Sequence, residues 1–201
     1  LRDRPCLIVM VKVPRAGRVK TRLGADIGMV PAAWWFRHQL RDLLRRLNDP
    51  RWRLVLAVSP DTSATNARIW PGHLPRVPQG GGNLGRRMAR AMSRCPRAPV
   101  CVIGADIPGT TRGHVARAFA ALGRAQAVFG PAPDGGYWLV GLRRGGLARV
   151  DMLDGVRWSS PHALADSRAA LNGWDIAQVD TLADVDTAAD LHHRPRPRFC
   201  Q

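Results

Sequence analysis

No stretch of about eighteen uncharged apolar residues occurs in the sequence, so no membrane-spanning helix is expected. No signal-peptide pattern precedes the first apolar run, although the chain starts at Leu1 rather than Met. Cysteine is sparse: Cys6, Cys95, Cys101 and Cys200 form no C-x-x-C and have no histidine at metal-ligand spacing. Three of them sit in or beside apolar segments and read as buried, reduced thiols, which makes the cytoplasm the expected location. A Walker P-loop is also missing, because that motif needs a glycine directly before its lysine and Val19 precedes Lys20-Thr21.

Lysine is nearly absent as well. Of 31 basic residues only Lys12 and Lys20 are lysines, and the net charge is +16. Such a charge normally points to nucleic acid. Here, however, the arginines are scattered along the chain rather than gathered in one block, and alanine is abundant. Compositional bias of a GC-rich genome accounts for that pattern better than a DNA footprint does, and a positive field also helps to recruit a polyanionic nucleotide. With 45% hydrophobic and 23% charged residues, the 201-residue chain is an ordinary globular sequence long enough for a sizeable core. The expected organisation is one domain over residues 1–191, with a flexible Pro/Arg tail over 192–201.

What is present begins with Cys6 to Leu23. An apolar run of strand length empties into a loop carrying Pro14, Gly17 and the cations Arg15, Arg18, Lys20 and Arg22. Parallel strands buried on both faces read as continuous hydrophobic runs, and ligands of open α/β sheets lie just beyond the carboxyl ends of the strands. The loop is therefore a candidate phosphate site, with a solvated basic turn as the alternative.

Further along, Pro31–Leu47 carries a helical pattern in which Trp34, Trp35 and Phe36 read as core-facing. Arg53–Ser59 reads as a second strand, and 62–78 as a short helix and loop. Three glycines, Gly80 to Gly82, then open a helix through Arg94. They permit close approach of backbone to a ligand, or serve as a flexible turn before Asn83 as N-cap. Pro99–Gly104 is a third buried strand, and Asp106 stands at its carboxyl end. A carboxylate there suits Mg²⁺, or else a turn or helix cap. Thr111–Leu122 reads as an amphipathic helix, 127–129 and 138–142 as strands, and Asp134-Gly135-Gly136 as a hairpin turn. Residues 147–158 look irregular, 161–171 helical and 175–179 extended. Asp184 and Asp186 stand two apart, so an extended backbone points them the same way. Thr187 and Asp190 have capping-box spacing.

Taken in order, five segments carry a resemblance: Lys12 to Leu23, Pro78 to Gly85, Gly104 to Pro108, Gly130 to Tyr137 and Asp184 to Thr187. Together they resemble a bacterial family of candidate GT-A-type glycosyltransferases, some described as arsenosugar-biosynthesis-type, related to molybdenum-cofactor guanylyltransferase and phospholactate guanylyltransferase. The resemblance implies an α/β nucleotide-diphospho-sugar transferase fold of Rossmann-like kind, a mixed, mainly parallel sheet sandwiched by helices. It implies nucleotide binding by Val13, Pro14, Arg15, Gly17, Arg18 and Lys20 of the first loop and by Gln79, Gly80, Gly81, Gly82 and Leu84 of the second. It further implies catalytic roles for Lys20, Arg22 and Asp106, a Mg²⁺ or Mn²⁺ ion on Asp106 and Asp186, and an acceptor against Asp134, Gly135, Gly136, Tyr137 and Trp158. Asn83 stands where many relatives are expected to be acidic.

Two reactions fit. So many cations after the first strand favour nucleotidyl transfer from an NTP to a small phosphorylated or hydroxyl acceptor, with release of pyrophosphate. The alternative is a glycosyltransferase with a nucleotide-sugar donor. A basic nucleic-acid-binding module is the third reading; no specific nucleic acid or membrane partner is expected, and a homodimer is a candidate assembly.

Overall fold

The computed structural model describes residues 4–65 and 69–192. The predicted flexible tail lies outside the described residues, apart from the backbone of His192, which closes the last helix.

The chain builds a seven-stranded sheet in the order β3-β2-β1-β4-β6-β5-β7. The strands are β1 (Cys6–Lys12), β2 (Arg53–Ser59), β3 (Arg76–Pro78), β4 (Val100–Gly104), β5 (Ala127–Pro131), β6 (Tyr137–Leu142) and β7 (Ile176–Gln178). Only β6 runs against its neighbours; it pairs antiparallel with β4 and β5, whereas the other pairings are parallel. This is the mixed, mainly parallel sheet that the sequence reading expects.

The continuous apolar character of β1 has a simple cause: it is central, and its side chains alternate between two cores. Leu7, Val9 and Val11 pack on one side with α2 (Met29–Leu47) and α4 (Arg112–Ala121). Cys6 and Ile8 pack on the other with α3 (Leu84–Ser93) and α5 (Ala163–Ala170). Each large side chain so buried contributes roughly 1.5–3 kcal/mol. In α2 the inward stripe is Phe36, Leu40, Leu43, Leu44 and Leu47, spaced as a helix of 3.6 residues per turn requires. That period cannot turn three consecutive aromatics inward, and Trp34 is 59% exposed, stacked on His38.

Two elements are additional to the sequence reading. Thr21–Ile27 forms a short helix, α1, directly after the basic loop, and 76–78 joins the sheet edge as β3. The segment before β3 holds only a 3₁₀ turn at Asp61–Ser63 among its described residues. Cys6, Cys95 and Cys101 are buried and free, in line with the reading of reduced thiols.

The reversal of β6 matters for placement. β5 and β6 form the hairpin expected at Asp134-Gly135, with Pro131 opposite Tyr137. Its loop therefore sits at the same sheet edge as the carboxyl ends of β1 and β4.

Candidate active site

Three aspartates meet at that edge. Asp106 follows β4, while Asp184 and Asp186 come from the extended segment between β7 and α6 (Ala188–His192). One carboxylate oxygen from each lies within 4.8 Å of the others. Local structure places them deliberately. A Cβ at residue 104 would stand 2.7 Å from Asp106 Oδ1, so glycine leaves the carboxylate room to fold back. Asp186 is held by its own backbone: its N–H and that of Thr187 donate to Asp190 Oδ2 at 3.0 and 2.7 Å. This is the reaching-back half of the capping box expected from the spacing of Thr187 and Asp190.

Lys20 enters the cluster from the opposite side. Its ammonium donates to Asp106 Oδ2 at 3.0 Å and to Asp186 Oδ1 at 2.7 Å, with the side chain only 6% exposed. The backbone at Lys20 is left-handed, φ 48° and ψ 49°, and forms the N-terminal boundary of α1. Burial works against the charge on Lys20, but the two carboxylates outweigh it and raise its pKa above the ordinary value. Arg22 Nη1 adds a 3.3 Å contact to Asp186 Oδ2. Asp184 has no such cation to itself. Burial first, and then the neighbouring charges of Asp186 and Asp106, push its carboxyl up to about 6.

The cluster separates two adjoining cavities. One, of 590 Å³, is walled by Lys12, Arg18, Lys20, Arg22 and Arg87, together with Asp106 and Asp186. The other, of 340 Å³, is walled largely by apolar and aromatic groups, with Asp106, Asp134 and Asp184 among them. Asp106, Leu84 and Ser159 border both. Ser159 adopts φ 57°, a strained value for a residue with a side chain, and such residues tend to cluster at functional sites.

The residues anticipated as nucleotide contacts divide. Arg18, Lys20, Gln79 and Leu84 line the basic cavity. Val13 is buried, Pro14 lines separate clefts beside Arg37, and Arg15 and Gly17 are exposed at the loop tip. Gly80, Gly81 and Gly82 do not line the basic cavity. Their backbone is tied to protein groups: Gly80 N–H donates to Asp61 Oδ1 at 3.0 Å, and Gly81 O accepts from Arg90 at 3.0 Å. The Gln79 amide is likewise engaged, donating to Val11 O and Ala57 O and accepting from Arg87.

On the acceptor side, Asp134, Gly136, Tyr137 and Trp158 line the second cavity. Gly135 does not; its φ is +82°, and a Cβ there would collide with the Pro161 carbonyl, so it serves the turn. The Tyr137 hydroxyl accepts from Ser167 at 3.2 Å, and burial raises its pKa despite that bond. Sequence reasoning did not select Lys12, Arg87, Ser159 or, as a ligand, Asp184. For Asp184 the two-residue spacing from Asp186 was the available signal.

The family model described as "Uncharacterized protein conserved in bacteria (DUF2064)" matches residues 43–160. The chain belongs to this family. No curated protein matches it. Among solved structures, a candidate nucleotide-diphospho-sugar transferase from Desulfovibrio desulfuricans G20 is 32% identical, with a TM-score of 0.82 over 94% of this chain and 85% of that one. CMP:2-keto-3-deoxy-manno-octonic acid synthetase complexed with CTP shares the fold at 12% identity and TM-score 0.60, over 94% of this chain and 96% of the other. Rv0371c of Mycobacterium tuberculosis H37Rv, complexed with manganese, does so at 17% identity and TM-score 0.56, over 94% and 96%. This DUF2064 member therefore shares the fold of the Desulfovibrio protein, described as a candidate nucleotide-diphospho-sugar transferase, and no described helix is long and apolar enough to cross a membrane.

Proposed function

We propose that the chain, acting as one domain over residues 1–191, is a divalent-metal-dependent nucleotidyltransferase that moves NMP from an NTP to a small acceptor. The observation that carries this reading is the junction itself: a basic cavity able to hold a triphosphate meets an apolar cavity across Asp106, Lys20 and Asp186. An acceptor oxygen attacks the α-phosphorus, the bond to the β-phosphate breaks, and pyrophosphate leaves. If the acceptor is a hydroxyl, its proton passes to a carboxylate or to water. Lys12, Arg18, Arg22 and Arg87 neutralise the departing charge by preorganised electrostatics. Lys20 does so at the point where charge develops.

The three carboxylates are a hard-oxygen set suited to Mg²⁺ or Mn²⁺, and Asp106, Asp184 and Asp186 would hold such an ion. When bound it supplies Lewis-acid stabilisation of phosphate oxygens. The CTP and manganese complexes of proteins with this fold support the choice of donor and ion.

Glycosyl transfer from a nucleotide sugar is the second reading, favoured by the 32% identity to the Desulfovibrio protein. A thermal-shift panel of NTPs, nucleoside diphosphates and nucleotide sugars, with and without Mg²⁺, separates the two, since ligands of the native state raise apparent stability. A Mg²⁺-dependent shift with an NTP that disappears in Asp106→Asn, with pyrophosphate release in turnover, supports nucleotidyl transfer. A shift confined to nucleotide sugars, with release of a nucleoside diphosphate, replaces it with glycosyl transfer.

A further inference from the structure

The 340 Å³ cavity is unusual for this chain in the charge it excludes. Basic residues number 31 in the whole sequence, yet none lines this cavity among the described residues; its charged groups are Asp106, Asp134 and Asp184. The adjoining cavity, a single carboxylate away, has five lysines and arginines in its wall. The remaining wall includes Tyr137, Trp138 and Trp158.

We infer that the acceptor bound in this cavity is a hydroxyl compound carrying no anionic group, neutral or cationic, with an apolar face to lie on the aromatic wall. The inference rests on the transferase reading above and narrows it: of the phosphorylated and hydroxyl acceptors, it retains the second. With Asp106 and Asp184 committed to the ion, a phosphomonoester here would still meet Asp134 with no arginine or lysine in the wall to pair with, and like charges at contact distance repel when partly withdrawn from water. A sugar or aryl alcohol instead offers hydroxyls to Asp134 and Ser160 and apolar surface to the aromatic side chains. An ammonium group would add attraction to Asp134.

The test uses the full chain and three matched probes: phenyl β-D-glucopyranoside, its 6-amino-6-deoxy derivative and its 6-phosphate. Each is titrated calorimetrically, with the basic cavity first filled by CTP or UDP and Mg²⁺ and again without nucleotide. The expected order is the amino and neutral probes at least about tenfold tighter than the phosphate, reversed in Asp134→Lys, which adds a cation to the wall. Tightest binding of the phosphate probe to the nucleotide-filled wild-type chain, or binding of none of the three, overturns the inference. Failure of CTP and UDP themselves to bind counts against the transferase reading instead. The probe order measured without nucleotide then still decides the charge preference of the cavity.

Discussion

Lys20 and Asp186 lie 166 residues apart in the chain and 2.7 Å apart in space. The contact joins the first loop to the segment before α6 and closes the ring of carboxylates with a cation carried by the protein. Lys20 therefore stands beside two of the three carboxylates that would hold a divalent ion, and the two cations would compete for their charge.

That competition is measurable. In Lys20→Met the carboxylates of Asp106 and Asp186 lose their shared counter-charge, so Mn²⁺ should bind more tightly, by about tenfold or more for one unit charge removed at contact distance. Turnover should fall by about 10²–10³, the cost of removing a preorganised charge from a reacting phosphate. Paramagnetic resonance of free Mn²⁺ and single-turnover assays read the two effects separately. Unchanged Mn²⁺ affinity would remove the competition from the account.

Tyr137 provides a pH signature. Its phenol is buried against Phe129, Trp158 and Ser167, and burial, only partly opposed by the Ser167 bond, raises its folded pKa above the ordinary value of 10.0. A raised folded pKa means that the associated stability is fully present below about pH 10 and is lost as pH climbs toward the folded value. Because it is the one tyrosine of the chain, absorbance at the phenolate band should stay flat through pH 10 and rise only together with unfolding. Tyr137→Phe should flatten the corresponding fall in urea midpoint. A reversible phenolate signal near pH 10 in the folded protein would contradict the burial argument.

Gly135 and Gly17 form a controlled pair. Both have positive φ, +82° and +71°, but a Cβ at 135 collides with Pro161 whereas one at 17 has nothing within 4 Å. Gly17→Ala should cost only the left-handed backbone penalty, about 1 kcal/mol. Gly135→Ala should cost roughly 2 kcal/mol or more and weaken binding in the acceptor cavity while sparing nucleotide binding. Urea unfolding and the probe titrations distinguish these outcomes. Equal costs at the two positions would show that the collision is relieved without consequence.

Much of the frame could be read from residue order. The unbroken apolar runs of β1, β2 and β4 announce buried parallel strands, and Asp134-Gly135 announces the hairpin that reverses β6. Asp106 was legible because a carboxylate just past such a strand has few other places to face. The parts that escaped are those set by packing rather than by local pattern. α1 is seven residues long with two buried positions, Leu23 and Gly24, too short to display a period. β3 is three residues ending in proline and exists because β2 offers it an edge. Gln79 resembles a ligand contact in sequence, but two carbonyls of neighbouring strands claim its amide. Asp184 is indistinguishable from Asp186 until the two cavities exist on either side of them.

The left-handed backbone at Lys20 carries a consequence for fitness of a different kind. A glycine would adopt φ 48°, ψ 49° freely, and a lysine there costs the native state roughly 1 kcal/mol. Position 20 is thus a place where the chain is less stable than it could be, and the conformation that costs it stability is the one that turns an ammonium inward over the sheet edge. Stability-driven redesign of this protein would be drawn to replace that residue, and would trade the site for a firmer fold.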